Sequence, residues 1–124
     1  MDAKILLRID SLLEHIDLVI NDTKDCDVDS FKQSNLLLRA TCFSLSQIGE
    51  QMIRIEQSIG EIYKDLPWRE ARVLRNFIVH EYENLDYEQV LSTVKNDLPL
   101  LKEEFLRVKV ELSSQLNQKN NKDS

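Results

Sequence analysis

Apolar side chains recur every three or four residues along most of this chain, the period that gathers them on one stripe of an α-helix. Ile5, Ile9, Leu12, Leu13, Ile16, Val19 and Ile20 follow it and predict a first helix over residues 3–20. Asn21 to Ser30 is a polar interruption, and Asp29 or Ser30 is placed to cap the next helix. A long second helix is predicted over residues 31–59. Its buried stripe would be Phe31, Leu38, Thr41, Cys42, Leu45, Ile48, Met52, Ile55 and Ile59. Gly49 falls inside it, at a cost of about 1 kcal/mol relative to Ala. That cost predicts the close approach of another helix backbone. Gly60 suits the C-terminal end.

A third helix is predicted to open near Pro67 and run through Trp68, Leu74, Phe77 and Ile78 to about Glu81. Asn84 and Asp86 break the pattern. Asp86 with Gln89 reads as a capping box for a further helix through Val90, Val94, Leu98, Leu101, Phe105, Val108 and Leu112. Pro99 is expected to kink or divide it after Asn96. Residues 117–124 are polar and predict a disordered tail. The expected architecture is all-α: one four- or five-helix bundle over residues 1–116, with no internal repeat.

Composition agrees, since 124 residues include only two Gly and two Pro. A domain of this size leaves much surface exposed, so pairing with a second copy would help it. The net charge of −6 changes the picture more. An acidic surface repels nucleic-acid phosphates, so work on RNA demands a local basic cleft. Charges at Asp2, Lys4 and Arg8 break the N-terminus, against a signal peptide. No uncharged run approaches the roughly 18 residues of a membrane span. Cys26 and Cys42 are expected as reduced thiols in the cytoplasm, and without nearby His or Cys they make no zinc site.

Candidate chemistry sits in Arg75-Asn76-Phe77-Ile78-Val79-His80-Glu81-Tyr82. At roughly 100° per residue, Arg75 and Tyr82 fall about 20° apart, and His80 about 140° from Arg75. Convergence of Arg75 and His80 requires either that the helix end near His80 or that a second chain complete the cleft. RNA can be cut without metal when its 2′-hydroxyl attacks the adjacent phosphate. Histidine suits the proton transfers of that step. Arginine supplies a fixed, planar positive charge for the phosphate. Arg72, one turn from Arg75, would add to a positive local field, and the Tyr82 phenol can hydrogen-bond or accept a transferred group. Taken alone, an Arg and a His five residues apart are a weak pattern that marks a packed helix end far more often than a catalytic pair.

The string Leu66-Pro67-Trp68-Arg69-Glu70, then Leu74-Arg75-Asn76, Val79-His80-Glu81-Tyr82 and Asp86, resembles the HepT family of the HEPN superfamily. Its hallmark is Arg, four residues, His, one residue, Tyr. Asp97-Leu98-Pro99-Leu100-Leu101-Lys102 and Ile48-Gly49-Glu50 match further parts of the pattern, so the resemblance covers about residues 36–105. It implies a helical homodimer acting as a metal-independent ribonuclease toxin, with Arg75 and His80 catalytic at a cleft between chains. Asn76 and Arg72 would orient the substrate, and neither metal nor cofactor is expected. The implied partner is an MntA-like nucleotidyltransferase antitoxin that transfers AMP from ATP onto Tyr82, in a complex that can be a larger hetero-oligomer. A non-catalytic helical dimer that binds such a partner is the alternative.

Other signals lead less far. Asp25-Cys26-Asp27-Val28-Asp29 begins like a calcium loop but has Ser30 and Leu36 where Gly and Glu are required. His15 reads as a surface residue, and Trp68 as a core or dimer anchor. Glu50 is placed either to line the cleft or to bond between helices.

Overall fold

A computed structural model describes residues 3–123, with side chains described for residues 3–118. Six α-helical segments account for the architecture: α1 (Ile5–Thr23), α2 (Val28–Gln33), α3 (Asn35–Ile59), α4 (Trp68–His80), α5 (Tyr87–Ser92) and α6 (Leu98–Asp123). A π-helical turn over Thr93–Asp97 joins α5 to α6 without a break, so four long helices and the short α2 form the bundle. The chain is all-α, and no strand occurs among the described residues.

The core is the meeting of the predicted stripes. Ile5, Ile9, Leu12, Ile16 and Val19 of α1 pack against Leu45, Ile48, Met52, Ile55 and Ile59 of α3, and against Phe105, Val108 and Leu112 of α6. Burying each such side chain stabilises by about 1.5–3 kcal/mol. Trp68 is buried, as expected for a core anchor: its ring meets Phe105 edge-on, and Nε1–H donates to the Tyr63 carbonyl at 2.8 Å. No described helix is long and apolar enough to cross a membrane.

Several local expectations are corrected. The helix read over 31–59 is two helices, because Ser34 turns to an extended conformation and its hydroxyl caps α3 at the Leu37 N–H. The cap of α2 is Asp27 rather than Asp29 or Ser30. Its Oδ1 accepts the Ser30 N–H at 2.8 Å, and the Ser30 hydroxyl accepts the Asp27 N–H at 3.1 Å. Asp86 caps α5 through the Gln89 N–H, as the capping signal requires. At Pro99 the stretch divides into α5 and α6 through the π-helical turn, with helical backbone throughout. Pro99 lacks the N–H for Lys95, and the turn before it widens so that the Leu98 N–H reaches the Thr93 carbonyl. The backbone of α6 stays helical to Asp123, through most of the segment read as a tail, and residue 124 lies outside the described residues. A nucleated helix adds a hydrogen bond per residue, so polar residues can propagate it. His15 is half-buried rather than on the surface, with its ring edge-on to Phe43.

Gly49 does what its cost predicted. A Cβ there would lie 2.7 Å from Arg75 Cβ and 3.1 Å from the Ala71 carbonyl oxygen. The missing side chain is what lets α4 lie directly on α3.

Candidate functional site

The close crossing at Gly49 places the side chains of α4. Ala71 and Ile78 are buried on one flank of this helix. Going round from Arg75 at roughly 100° per residue, one meets Arg72, Asn76 and His80 over about 140° of the circumference. Arg75 is half-buried, and the other three are exposed or partly so. Just beyond His80 the surface turns apolar, with Val73 and Phe77 59% and 40% exposed. Beyond them lies an apolar groove of about 720 Å³ between α4 and α6, lined by Val73, Leu74, Phe77, Leu98, Leu100 and Leu101 among others. None of the predicted site residues lines that groove.

Arg75 is held by α3. Its Nη1 donates to Glu50 Oε1 at 2.6 Å, with each side chain about one-third exposed. Its Nε is buried without a partner. Glu50 is therefore an interhelical ligand of the predicted arginine, adjacent to the glycine that permits the approach. Arg72 closes on Glu56 in the same way. Glu56 was not marked by the sequence, because a pair sixteen residues apart leaves no local signature. The two carboxylates change the expected electrostatics: the field of Arg72 and Arg75 is offset within the chain.

The structure separates the remaining residues. His80 ends α4, satisfying one of the two conditions for convergence. Its side chain makes no hydrogen bond or ion pair among the described residues, and it does not meet Arg75. Glu81 leaves helical geometry at φ −121°, and Tyr82 opens a short 3₁₀ turn over Tyr82–Asn84. The 20° alignment of Tyr82 with Arg75 therefore does not apply, because the α-helical rotation stops two residues earlier. The Tyr82 ring is exposed. Among the described residues, no three His, Cys, Asp or Glu side chains gather as metal ligands.

A family profile described as Ribonuclease HepT-like matches residues 12–108. A Methanocaldococcus jannaschii protein named as a gamma-glutamylcyclotransferase and candidate RNase is 34% identical over 97% of this chain. The chain spans only about half of that relative, 53% of its length. A candidate RNase of the same organism is 33% identical, over 78% of this chain and 84% of its own length. A Thermococcus cleftensis protein named as a probable ribonuclease HepT is 27% identical, over 82% of this chain and 92% of its own. No solved structure matches.

Proposed function

This chain belongs to the HepT-like ribonuclease family, and from that premise we propose that it is a HEPN-type endoribonuclease toxin. It acts on RNA as a homodimer, needs no metal, and is silenced by an MntA-like nucleotidyltransferase antitoxin. The observation that carries the reading is the sector of α4 that holds Arg75, Arg72, Asn76 and His80, with the exposed Val79 among them and the exposed Val73 and Phe77 beside them. A two-fold copy seated on that apolar strip would bury it and bring a second His80 beside the first.

In the cleft so formed, a ribose 2′-hydroxyl attacks the adjacent phosphorus and the 5′-oxygen leaves. The products are a 2′,3′-cyclic phosphate and a free 5′-hydroxyl end. His80 takes the proton from the nucleophile or returns one to the leaving oxygen. Arg75 meets the growing charge on the phosphate oxygens, and Glu50 holds its guanidinium in place. Asn76 and Arg72 orient the substrate. In silencing, the Tyr82 oxygen attacks the α-phosphorus of ATP, pyrophosphate leaves, and a tyrosyl adenylate remains. Its bulk and negative charge sit two residues from His80, where they repel an RNA phosphate.

The test is RNA cleavage by purified Arg75→Ala and His80→Ala, each first shown folded and of unchanged oligomeric state. Loss of cleavage in both is expected, and cleavage retained in both overturns the mechanism. Co-expression with the antitoxin should add adenylate mass to the peptide carrying Tyr82, and an unmodified peptide in a silenced complex overturns that step. One observation favours a second reading, a non-catalytic dimer that holds the nucleotidyltransferase: Glu50 and Glu56 neutralise both arginines. A stable complex from a chain that leaves all RNA intact would select it.

A further inference from the structure

We propose that the hollow between the start of α1 and the C-terminal half of α3 is a phosphodiester subsite that holds an RNA strand running past the α4 sector. This rests on the ribonuclease reading and deepens it. The hollow measures about 230 Å³ and is lined by Ile5, Arg8, Arg54, Gln57 and Ser58. Two arginines line it, and among the described residues no carboxylate does. Several cations of this acidic chain meet acids, Arg72 with Glu56, Arg75 with Glu50, Lys102 with Asp17 and Lys109 with Asp10, whereas others such as Arg39 and Arg69 enter no ion pair among the described residues and line no hollow with a second arginine. Arg8 and Arg54 enter no ion pair among the described residues. Two like charges sharing one hollow repel each other, and a bound anion removes that cost. The first turn of α1, which opens at Ile5, carries no acidic residue, and the helix dipole adds to the positive potential at that end.

The chemistry of the lining suits a phosphodiester. Each guanidinium offers a planar fork that matches two phosphate oxygens. The Gln57 amide and the Ser58 hydroxyl are neutral donors that can bond the ribose or a remaining oxygen. Two arginines without a described counter-acid would also help a chain of net charge −6 keep hold of a polyanion. The arginines of the α4 sector are offset by Glu50 and Glu56, and the Arg8–Arg54 hollow is not.

Position links the two places. On α3, Glu50, Arg54 and Gln57 lie within about 60° of one another at roughly 100° per residue, so they form one stripe. Glu50 carries the Arg75 guanidinium at one end of that stripe. Arg54 lies about 6 Å further along the axis and Gln57 about 10 Å, at roughly 1.5 Å per residue. The hollow would therefore hold a different phosphodiester of the same strand from the one at Arg75. A dinucleotide would not span the distance, and a longer strand would.

The experiment compares Arg8→Gln/Arg54→Gln with a control of equal charge change, Lys24→Gln/Lys32→Gln, both in the full chain. Binding of a fluorescein-labelled single-stranded RNA oligonucleotide is read by anisotropy in a His80→Ala background across a salt series. The expected result is about tenfold weaker binding for the arginine pair only, with the slope of log affinity against log salt reduced by about 1.4 for two lost contacts. In the active background the arginine pair should raise KM for the oligonucleotide, leave kcat unchanged, and leave cleavage of a dinucleotide unaffected. Equal losses in both double variants, or no loss in either, overturn the subsite while the ribonuclease reading stands. A parent chain that neither binds nor cleaves RNA overturns the ribonuclease reading and the subsite with it. Weakened antitoxin binding with RNA affinity intact assigns the hollow to a protein partner and overturns the subsite.

Discussion

Replacing Gly49 by alanine sets two known effects against each other at the point where α3 and α4 cross. Alanine favours a helix interior over glycine by about 1 kcal/mol, so on α3 alone the substitution stabilises. The new Cβ would stand 2.7 Å from Arg75 Cβ, 3.1 Å from the Ala71 carbonyl oxygen and 3.4 Å from Arg75 Cα. Carbon atoms rest at about 3.5–4.0 Å, so α4 must retreat by about 1 Å. The atoms met are fixed to the α4 backbone and cannot swing aside as the end of a flexible side chain would. Overpacking of this kind costs about 1–3 kcal/mol. The net expectation is a loss of about 1 kcal/mol, or about 3–6 °C in Tm at this chain length. The same retreat would lengthen the 2.6 Å contact between Arg75 and Glu50, so RNA cleavage should fall more than stability does. Urea unfolding followed by circular dichroism reads the first quantity, and single-turnover cleavage the second. A variant more stable than its parent by the full propensity gain, and equally active, would refute the claim that the crossing at Gly49 positions Arg75.

Glu50→Ala removes the carboxylate that Arg75 Nη1 donates to. With the pair one-third exposed, urea unfolding should show a loss of about 1 kcal/mol, and an unchanged midpoint would count against a positioning role. Burial pushes the Cys42 thiol up to about 11. At pH ~8, alkylation should therefore modify the half-exposed Cys26 and spare Cys42 in the folded chain, and a doubly modified mass before unfolding would contradict this. Burial, with help from the Tyr63 hydroxyl's 2.6 Å hydrogen bond to Glu111, pushes the Tyr63 phenol up to about 12. A raised pKa favours the protonated phenol in the folded state, so this contribution to stability holds below pH ~10 and is lost as pH rises through about 12. Ultraviolet titration should show a late-ionising tyrosine that disappears in Tyr63→Phe; an identical curve in the variant would contradict the assignment.

Much of this protein was legible in one dimension because helix burial is periodic. The stripes from Ile5 to Val19 and from Leu38 to Ile59 needed only the 3.6-residue repeat to be found, and they are buried in the fold. The cost of a mid-helix glycine likewise announced that something must pass close to Gly49. Boundaries set by a single residue were less legible. Ser34 caps a new helix where the local pattern would continue one, and the buried Phe31 just before it makes its contacts outside the local sequence. Pro99 was legible in kind only: the rule that proline interrupts helical hydrogen bonding was sound, and the form the interruption takes, a wider turn before it, came from the structure.

The site divides along the same line. Arg75, His80 and Tyr82 were recognisable from their spacing and the motif they resemble, since residue identity and order belong to the sequence itself. Their electrostatic surroundings do not. Glu50 lies 25 positions from Arg75 and Glu56 lies 16 from Arg72, and only the packing of α4 on α3 brings those charges into contact. Arg8 and Arg54 share a hollow for the same reason, across the α1–α3 crossing. Sequence alone determined which residues could do chemistry and which faces would be buried, because both follow from local composition and period. Tertiary structure decided which charges are offset and which stand free, because Coulomb interactions depend on distance through space and not along the chain.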